Sequence, residues 1–167
     1  MSCEKLKVGV CYNSNMLSNI EQVIREYLPG VVHMSLATSN NNVPWISELH
    51  FMYDADLHIY FRSLPSRRHS LDIKENPNVS GNVIKQHTIG EKVRGVYFEG
   101  KAELIENVTM QSESYKAFTK RFGPNKDVLE EANTENGHKF YKITVENYYV
   151  FDSISSNPSK KYKLSWH

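Results

Sequence analysis

The sequence lacks the short motifs by which many enzymes hold a cofactor or activate a nucleophile. It contains no GxGxxG dinucleotide loop, no GxxxxGK[ST] phosphate loop, no HExxH metal motif and no GxSxG nucleophile motif. A dinucleotide or triphosphate held by such loops is therefore excluded at the level of motifs. The seven histidines are scattered along the chain, so we expect no protein-bound metal.

Net charge, long apolar runs and cysteine are also scarce. The formal net charge is +1, so no general field would recruit nucleic acid or a membrane surface. No apolar run reaches the length of a membrane span, and the first ten residues carry charges where a signal peptide would be apolar. Cys3 and Cys11 match neither a CxxC nor a zinc pattern, which favours free thiols. We therefore expect a cytoplasmic protein that binds neither nucleic acid nor membrane.

The length of 167 residues predicts one domain over residues 1–167, with residues 1–14 as a flexible N-terminus. Apolar residues recur at helical spacing over residues 17–28. Ser18 and Glu21 are spaced as a capping box that would begin this helix, and Pro29 would end it.

Most of the remaining chain alternates between apolar and polar residues, which predicts β-structure. The predicted strands are residues 31–38, 43–53, 57–61, 79–84, 93–105, 140–145 and 148–154. Further helices are predicted over residues 70–75 and from Asn107 or Thr109 to residue 122, and residues 125–138 are predicted to be loop or short helix. Six or seven strands in hairpin order with three helices predict a mainly β (α+β) antiparallel barrel with flanking helices.

Residues 57–77, LHIYFRSLPSRRHSLDIKENP, are the segment most indicative of a binding site. A short apolar strand leads into a Ser/Arg-rich turn, and the turn leads into a helix that ends at Asn76-Pro77. Cations, hydroxyl groups and free backbone N–H groups meet at the helix start, where the helix dipole also favours an anion. The turn is either a phosphate site or a solvated loop whose arginines keep the protein soluble.

A phosphate in this turn would place the rest of its molecule along residues 57–61 and 43–51. These strands would offer backbone amides and side chains to a flat polar ring, and flavin mononucleotide (FMN) has that shape. Glu48 and His50 lie two residues apart on one face of a strand, as an acid–base pair or as part of a solvated barrel face.

The order of these segments resembles the FMN-binding split barrels related to pyridoxamine 5'-phosphate oxidase. The resemblance covers roughly residues 28–105: strands HMSLATSNNNVPWISELHFMYD and LHIYFRS, the Ser/Arg turn, a helix ending in NP, and strands NVSGNVI and RGVYFEGKAELI. The segments YKAFTKRFGP and KKYKLSW are similar to the small uncharacterised-protein family 0306. The resemblance implies an antiparallel split β-barrel with two or three flanking helices.

The resemblance also implies phosphate ligands, because relatives carry Ser-Arg-Lys or Thr-Arg-Lys ahead of a Leu and the Asn-Pro. Counting back from Asn76-Pro77 places Arg67 on the Ser/Thr, Arg68 on the Arg and His69 on the Lys. Matching by letters instead places Ser66, Arg67 and Arg68 on this element, so Arg68 is basic in both registers. A histidine at the Lys position would make phosphate binding pH-sensitive. The implied ring contacts are Ser47, Glu48, Leu49, Tyr60, Phe61, Arg62 and Ser63.

The function implied is that of a homodimeric FMN-dependent oxidoreductase, with the flavin at the dimer interface and a small-molecule substrate or electron donor. No catalytic residue is identified. The C-terminal KKYKLSWH lacks an Arg-Leu-His-like substrate element, and Gly95-Val96-Tyr97 stands where pyridoxamine-phosphate oxidases have Gln-Val-Arg, which argues against that reaction. The alternative is a non-catalytic flavin- or haem-binding module, with His87, His138 or His167 as a haem ligand.

Overall fold

The computed structural model describes residues 14–155 and 160–165 of the chain. The expectations for Cys3, Cys11, His167 and the segment before Ser14 lie outside the described residues. The elements in chain order are α1 (Ser14–Tyr27), β1 (His33–Asn40), β2 (Val43–Tyr53), β3 (Ile59–Ser63), α2 (Arg68–Glu75), β4 (Asn78–Ile84), β5 (Arg94–Ile105), α3 (Glu113–Phe122), α4 (Lys126–Ala132), β6 (Lys139–Asp152) and β7 (Lys160–Ser165).

The strands form one antiparallel sheet that closes on itself. Their order is β3-β2-β1-β4-β5-β6-β7, and β3 also pairs with β6. Six strands therefore make a closed barrel, to which β7 adds on the side of β6. This architecture confirms the predicted mainly β split barrel, and the described residues form four α-helices where two or three were predicted. Among the described residues, no helix is both long and apolar enough to cross a membrane.

Two apolar clusters hold the barrel and its helices together. Phe51, Phe61 and Tyr141 belong to the larger cluster inside the barrel, where the Phe61 and Tyr141 rings stack 4.9 Å apart. Tyr60 and Phe140 belong to a second cluster under α3 and α4. Because successive side chains of a strand point to opposite faces, β3 is buried on both sides.

The C-terminal half of the barrel corrects the predicted strand boundaries. The two strands predicted over residues 140–154 are one strand, β6, whose first part pairs with β3 and whose last part pairs with β7. A bulge lies at Glu99/Gly100, where Gly100 faces Val145 and Glu99 faces Asn147, so Glu146 has no partner on β5. A Cβ at Gly100 would lie 2.2 Å from the Thr144 carbonyl oxygen, so the close approach requires glycine.

Two predicted helix starts are also wrong. The first helix begins at Ser14 and not at the predicted capping box of Ser18. The helix predicted from Asn107 or Thr109 begins at Glu113, because Asn107 takes a left-handed conformation with φ of 53° and Ser112 is still extended, with ψ of 134°.

Candidate functional site

The Ser/Arg turn joins the end of β3 to the start of α2. The Arg67 N–H donates to the Leu64 carbonyl, which makes the turn, and Arg67 stays extended as the residue before the helix. At the other end, the Asn76 N–H donates to the Asp72 carbonyl and the Asn76 amide donates to the Ser39 carbonyl at 3.0 Å. The helix predicted before Asn-Pro is therefore present, with a tight turn before its start and a hydrogen-bonded C-terminal end.

A groove of about 550 Å³, here called the α2 groove, runs between β2, the end of β3 and the start of α2. Eight of the eleven predicted site residues line it: Ser47, Glu48, Leu49, Arg62, Ser63, Arg67, Arg68 and His69. The other three do not. Ser66 is exposed in the turn outside the groove, and the side chains of Tyr60 and Phe61 are buried in the two apolar clusters.

The start of α2 has the features of an anion site. No side chain caps the first turn, and that turn contains no acidic residue. Instead Arg67 and Arg68 put two cations at the positive end of the helix dipole, an arrangement that is unfavourable unless an anion lies there. The first-turn N–H groups and both guanidinium groups are therefore available to the same ligand.

Arg68 is held in the groove by an aromatic ring. Its guanidinium carbon lies 4.3 Å from the centroid of the exposed Trp45 ring, and its Nε lies 3.9 Å from Asp72 Oδ2. Trp45 was not among the predicted site residues. Its position two residues before Ser47, on the same face of β2, is a sequence signal that points to the groove.

His69 has a different environment from the one that the sequence predicts for a charged ligand. Its Nδ1 lies 3.0 Å from Ser47 Oγ and its Nε2 lies 2.7 Å from Ser63 Oγ, so both ring nitrogens are already hydrogen-bonded. Burial lowers the pKa of His69, and the neighbouring Arg67 lowers that pKa further. The geometry favours a neutral imidazole that ties α2 to β2 and β3.

The far wall of the groove contains an ion-pair network that sequence reasoning did not identify. Arg62 Nη2 donates to Glu131 Oε2 at 2.6 Å and to the His138 carbonyl at 3.3 Å. His138 Nδ1 lies 2.7 Å from the other Glu131 oxygen. These hydrogen bonds, first that of His138 and then that of Arg62, lower the pKa of Glu131 to about 2. The charge of Arg62 is thus neutralised within the protein.

Glu48 and His50 are not arranged as an acid–base pair. Glu48 lines the α2 groove and accepts a hydrogen bond from Ser35 at 3.3 Å. The Nε2 atom of His50 instead lies 3.3 Å from Nε2 of His33 on β1. Over residues 14–155 and 160–165, no three His, Cys, Asp or Glu side chains are grouped to hold a metal ion.

The edge of β2 beside the groove is open. Residues 43–50 pair with β1 on one side, whereas β3 pairs only with Phe51, Met52 and Tyr53. In this stretch, alternate backbone N–H and C=O groups therefore point away from β1 without a strand partner among the described residues. They offer donors and acceptors to the edge of a planar ligand.

Comparison with known proteins identifies a family. The sequence profile described as Pyridoxamine 5'-phosphate oxidase matches residues 20–152. No curated protein sequence gives a match.

Solved structures similar to this chain include proteins with different ligands in their names. The haem storage protein HutZ from Vibrio cholerae is 18% identical, with a TM-score of 0.61 over 75% of this chain and 89% of that protein. A haem binding protein from Mycobacterium smegmatis is 13% identical, with a TM-score of 0.63 over 83% of this chain and 55% of that one. An FAD-binding protein from Mesorhizobium loti is 19% identical, with a TM-score of 0.60 over 78% of this chain and 90% of that one. At these identities the likeness establishes the fold alone.

Proposed function

Because the chain belongs to the pyridoxamine 5'-phosphate oxidase family, we propose that it is a cytoplasmic flavoprotein that binds FMN in the α2 groove. The observation that carries the proposal is the start of α2, which has two arginines and no capping side chain. The dianionic phosphate of FMN would supply the missing negative charge and accept from the first-turn N–H groups.

The ring of the cofactor would lie along the open edge of β2. Ser47, Glu48 and Leu49 line the groove at this edge, next to Arg62 and Ser63. Tyr60 and Phe61 contribute no ligand contact in this proposal, because their side chains are buried and their backbones pair with both β2 and β6. His69 acts as a positioning residue that fixes the hydroxyl groups of Ser47 and Ser63.

A second copy of the chain would complete the site. Ile46 lines the α2 groove on β2 and Leu71 lies on α2, and their side chains are 63% and 51% exposed. Val43 and Trp45 add exposed apolar surface on the opposite face of the same strand. Burial of such a surface favours association, so the proposal includes a homodimer with the cofactor at the interface.

When bound, the flavin supplies the redox chemistry, passing electrons between a donor and a small aromatic or heterocyclic substrate. The protein's part is to hold the phosphate at Arg67 and Arg68 and to orient the ring on β2. We therefore propose an oxidoreductase whose substrate differs from pyridoxamine phosphate.

The alternative function is haem binding or sequestration, and one observation favours it. His138 lines the groove, and its Nδ1 is hydrogen-bonded to Glu131, which is how proteins commonly orient a histidine that ligates a metal through Nε2. His87, by contrast, lies exposed in the β4–β5 loop and does not line the groove.

Identification of the ligand released from freshly purified protein by mass spectrometry tests the proposal directly. FMN supports it, and haem with a Soret band lost in His138→Ala supports the alternative. If photoreduced flavin on the protein re-oxidises faster with a candidate acceptor than in buffer alone, the protein is an enzyme and not a store.

The site is tested by titrating FMN against the Arg68→Ala variant. Loss of a charge-assisted hydrogen bond should weaken binding by about 1.5–3 kcal/mol. Lys74→Ala, which removes an exposed cation from the last turn of the same helix, is the matched control. Equal FMN affinity in Arg68→Ala and Lys74→Ala would show that the phosphate binds elsewhere.

A further inference from the structure

A second and larger groove lies on another side of the barrel and contains none of the predicted site residues. Its volume is about 770 Å³, and it runs between the end of α1, the end of β2 and the last turn of α3. We call it the α3 groove. Its walls carry three cationic side chains, those of Arg25, Lys120 and Arg121, and one carboxylate, that of Asp54. Arg25 is already paired with Glu21 at 2.8 Å, so the positive charge open to a ligand is that of Lys120 and Arg121.

Arg121 is the unusual residue of the α3 groove. Its guanidinium carbon lies 4.5 Å from the centroid of the Phe51 ring, and one Nη donates to the Val31 carbonyl. The side chain is half-buried, and that burial lowers the pKa of Arg121. Across residues 14–155 and 160–165, however, no carboxylate lies within ion-pair distance of this guanidinium.

The single carboxylate of the groove does not balance these charges. Asp54 Oδ1 accepts from the His58 N–H at 2.9 Å, and Asp54 Oδ2 accepts from the Tyr60 hydroxyl at 2.8 Å. These bonds close the turn between β2 and β3. Both oxygens of Asp54 are therefore used within the turn. Lys120 and Arg121 leave a net positive charge at the wall of the groove.

The rest of the lining is apolar and exposed. Val32 is 54% exposed and Phe122 is 46% exposed, and Pro29 completes a surface that a small apolar body could cover. Burying a cation without a counter-ion costs free energy. The apolar lining beside Arg121 therefore favours a ligand that has both an anionic group and an apolar part.

We propose that the α3 groove is a second binding site, for a small organic anion that has a carboxylate or phosphate group on a compact apolar or aromatic body. The anionic group pairs with the free N–H donors of Arg121, whose planar fork suits either group. Lys120 adds charge at the rim, and Val32 and Phe122 cover the apolar body. The site is separate from the flavin site and does not depend on it.

Titration followed by amide chemical shifts in ¹H–¹⁵N NMR spectra tests this proposal with benzoate, phenyl phosphate and benzyl alcohol as probes. Benzoate or phenyl phosphate should shift amides of α3 and of residues 29–32, whereas neutral benzyl alcohol at the same concentration should not. The stronger of the two anions identifies the preferred head group. Equal shifts with benzyl alcohol, or shifts confined to the α2 groove, would overturn the proposal.

Variants separate the role of charge from a change in the fold. Arg121→Gln should lower the affinity for the anion by about tenfold or more. Because Arg121 also packs on Phe51, the exposed Lys120→Gln supplies a second test with an expected loss of roughly threefold. The matched control is Lys116→Gln on the same helix, since Lys116 pairs with Glu113 and does not line the groove. A folded Lys120→Gln that binds as tightly as Lys116→Gln contradicts the proposal.

The two grooves are distinguished by measuring the ligand of each groove on the variant of the other groove. Arg68→Ala should leave benzoate binding unchanged, and Lys120→Gln should leave FMN binding unchanged. Failure of FMN to bind would therefore say nothing against the α3 groove. Loss of benzoate binding in Arg68→Ala would show that the anion enters the α2 groove instead.

Discussion

The first turns of α2 and α4 are built in opposite ways within one molecule. At α4, Asn125 Oδ1 accepts from the N–H groups of Asp127 and Val128 at 3.0 and 3.4 Å, and Asp127 places a negative charge in the first turn. At α2, the residue before the helix is Arg67, Arg68 follows it, and no side chain satisfies the first N–H groups. The start of α4 is capped, whereas the start of α2 has two cations and no capping side chain.

The difference teaches where α2 gets its stability. Asp72, in the second turn, is buried and accepts a hydrogen bond from the buried hydroxyl of Thr38 at 2.8 Å. Ile73 is buried in the barrel cluster, and Asn76 ties the end of the helix to β1. The helix is thus anchored through its C-terminal half, which allows its N-terminal turn to depart from the usual capping pattern.

The largest effect is expected from removing the anchor of α2. Asp72→Ala leaves the buried Thr38 hydroxyl without its acceptor, so the free energy of unfolding should fall by about 1–3 kcal/mol. Urea denaturation measures this loss. The exposed Lys74→Ala on the same helix should change stability by less than about 0.5 kcal/mol. Similar losses in both variants would mean that Asp72 does not anchor the helix.

Removing the cap of α4 should have the next largest effect. Asn125→Ala leaves two first-turn N–H groups unsatisfied and should cost about 1 kcal/mol of stability, without changing FMN affinity. Asn125→Ser, which keeps a capping oxygen, should recover most of the loss. An unchanged unfolding midpoint in Asn125→Ala would contradict the interpretation that Asn125 stabilises the start of α4.

Giving α2 the kind of start that α4 has should stabilise the protein. Arg67→Ser supplies a capping hydroxyl and removes a cation from the positive end of the dipole, so stability should rise by about 0.5–1 kcal/mol. FMN affinity should fall in the same variant. A variant that loses stability and keeps its FMN affinity would show that Arg67 serves the fold and not a ligand.

The smallest effect is the pH dependence contributed by His69. Because the pKa of His69 in the folded state lies below its unfolded value of about 6.5, the unfolded state takes up the proton first as pH falls. The contribution of His69 to stability is therefore fully present above about pH 6.5 and decreases as pH falls toward the folded pKa.

His69→Gln should show a shallower loss of stability than the unchanged protein between about pH 7.5 and pH 5. His50, whose pKa is also lowered, is present in both proteins, so the difference isolates His69. Equal slopes would mean that folding does not lower the pKa of His69.

Much of the barrel could be predicted because its strands alternate and its turns have distinctive residues. Asn41 and Asn42 both take positive φ angles of 49° and 62°, as the predicted turn between β1 and β2 requires. The boundary error within β6 has a physical cause. At the Glu146 bulge, the buried side chains change from odd positions such as Val145 to even positions such as Tyr148. Because the alternation changes phase there, the sequence pattern predicts two strands instead of one.

The candidate site could be predicted only where its residues are close in the sequence. The Ser/Arg turn and its helix form a continuous pattern, so Arg67 and Arg68 could be identified as cations at a helix start. Glu131 could not be identified, because closure of the barrel brings it to Arg62 from 69 positions away. The two serine contacts of His69 could not be predicted either, since a sequence pattern does not tell whether a ring is buried.

The open sheet edges of the protein differ in their tendency to aggregate. In the described part of the chain, β7 pairs with β6 alone, so its outer edge resembles a template for adding another strand. Lys161 and Lys163 alternate along it with residues that face the barrel, and a second β7 aligned there would bring like charges together. The edge of β2 carries exposed apolar side chains and has no such charges at Val43, Trp45 and Ile46. Charge thus opposes self-assembly at β7, whereas residues 43–46 of β2 have no such protection.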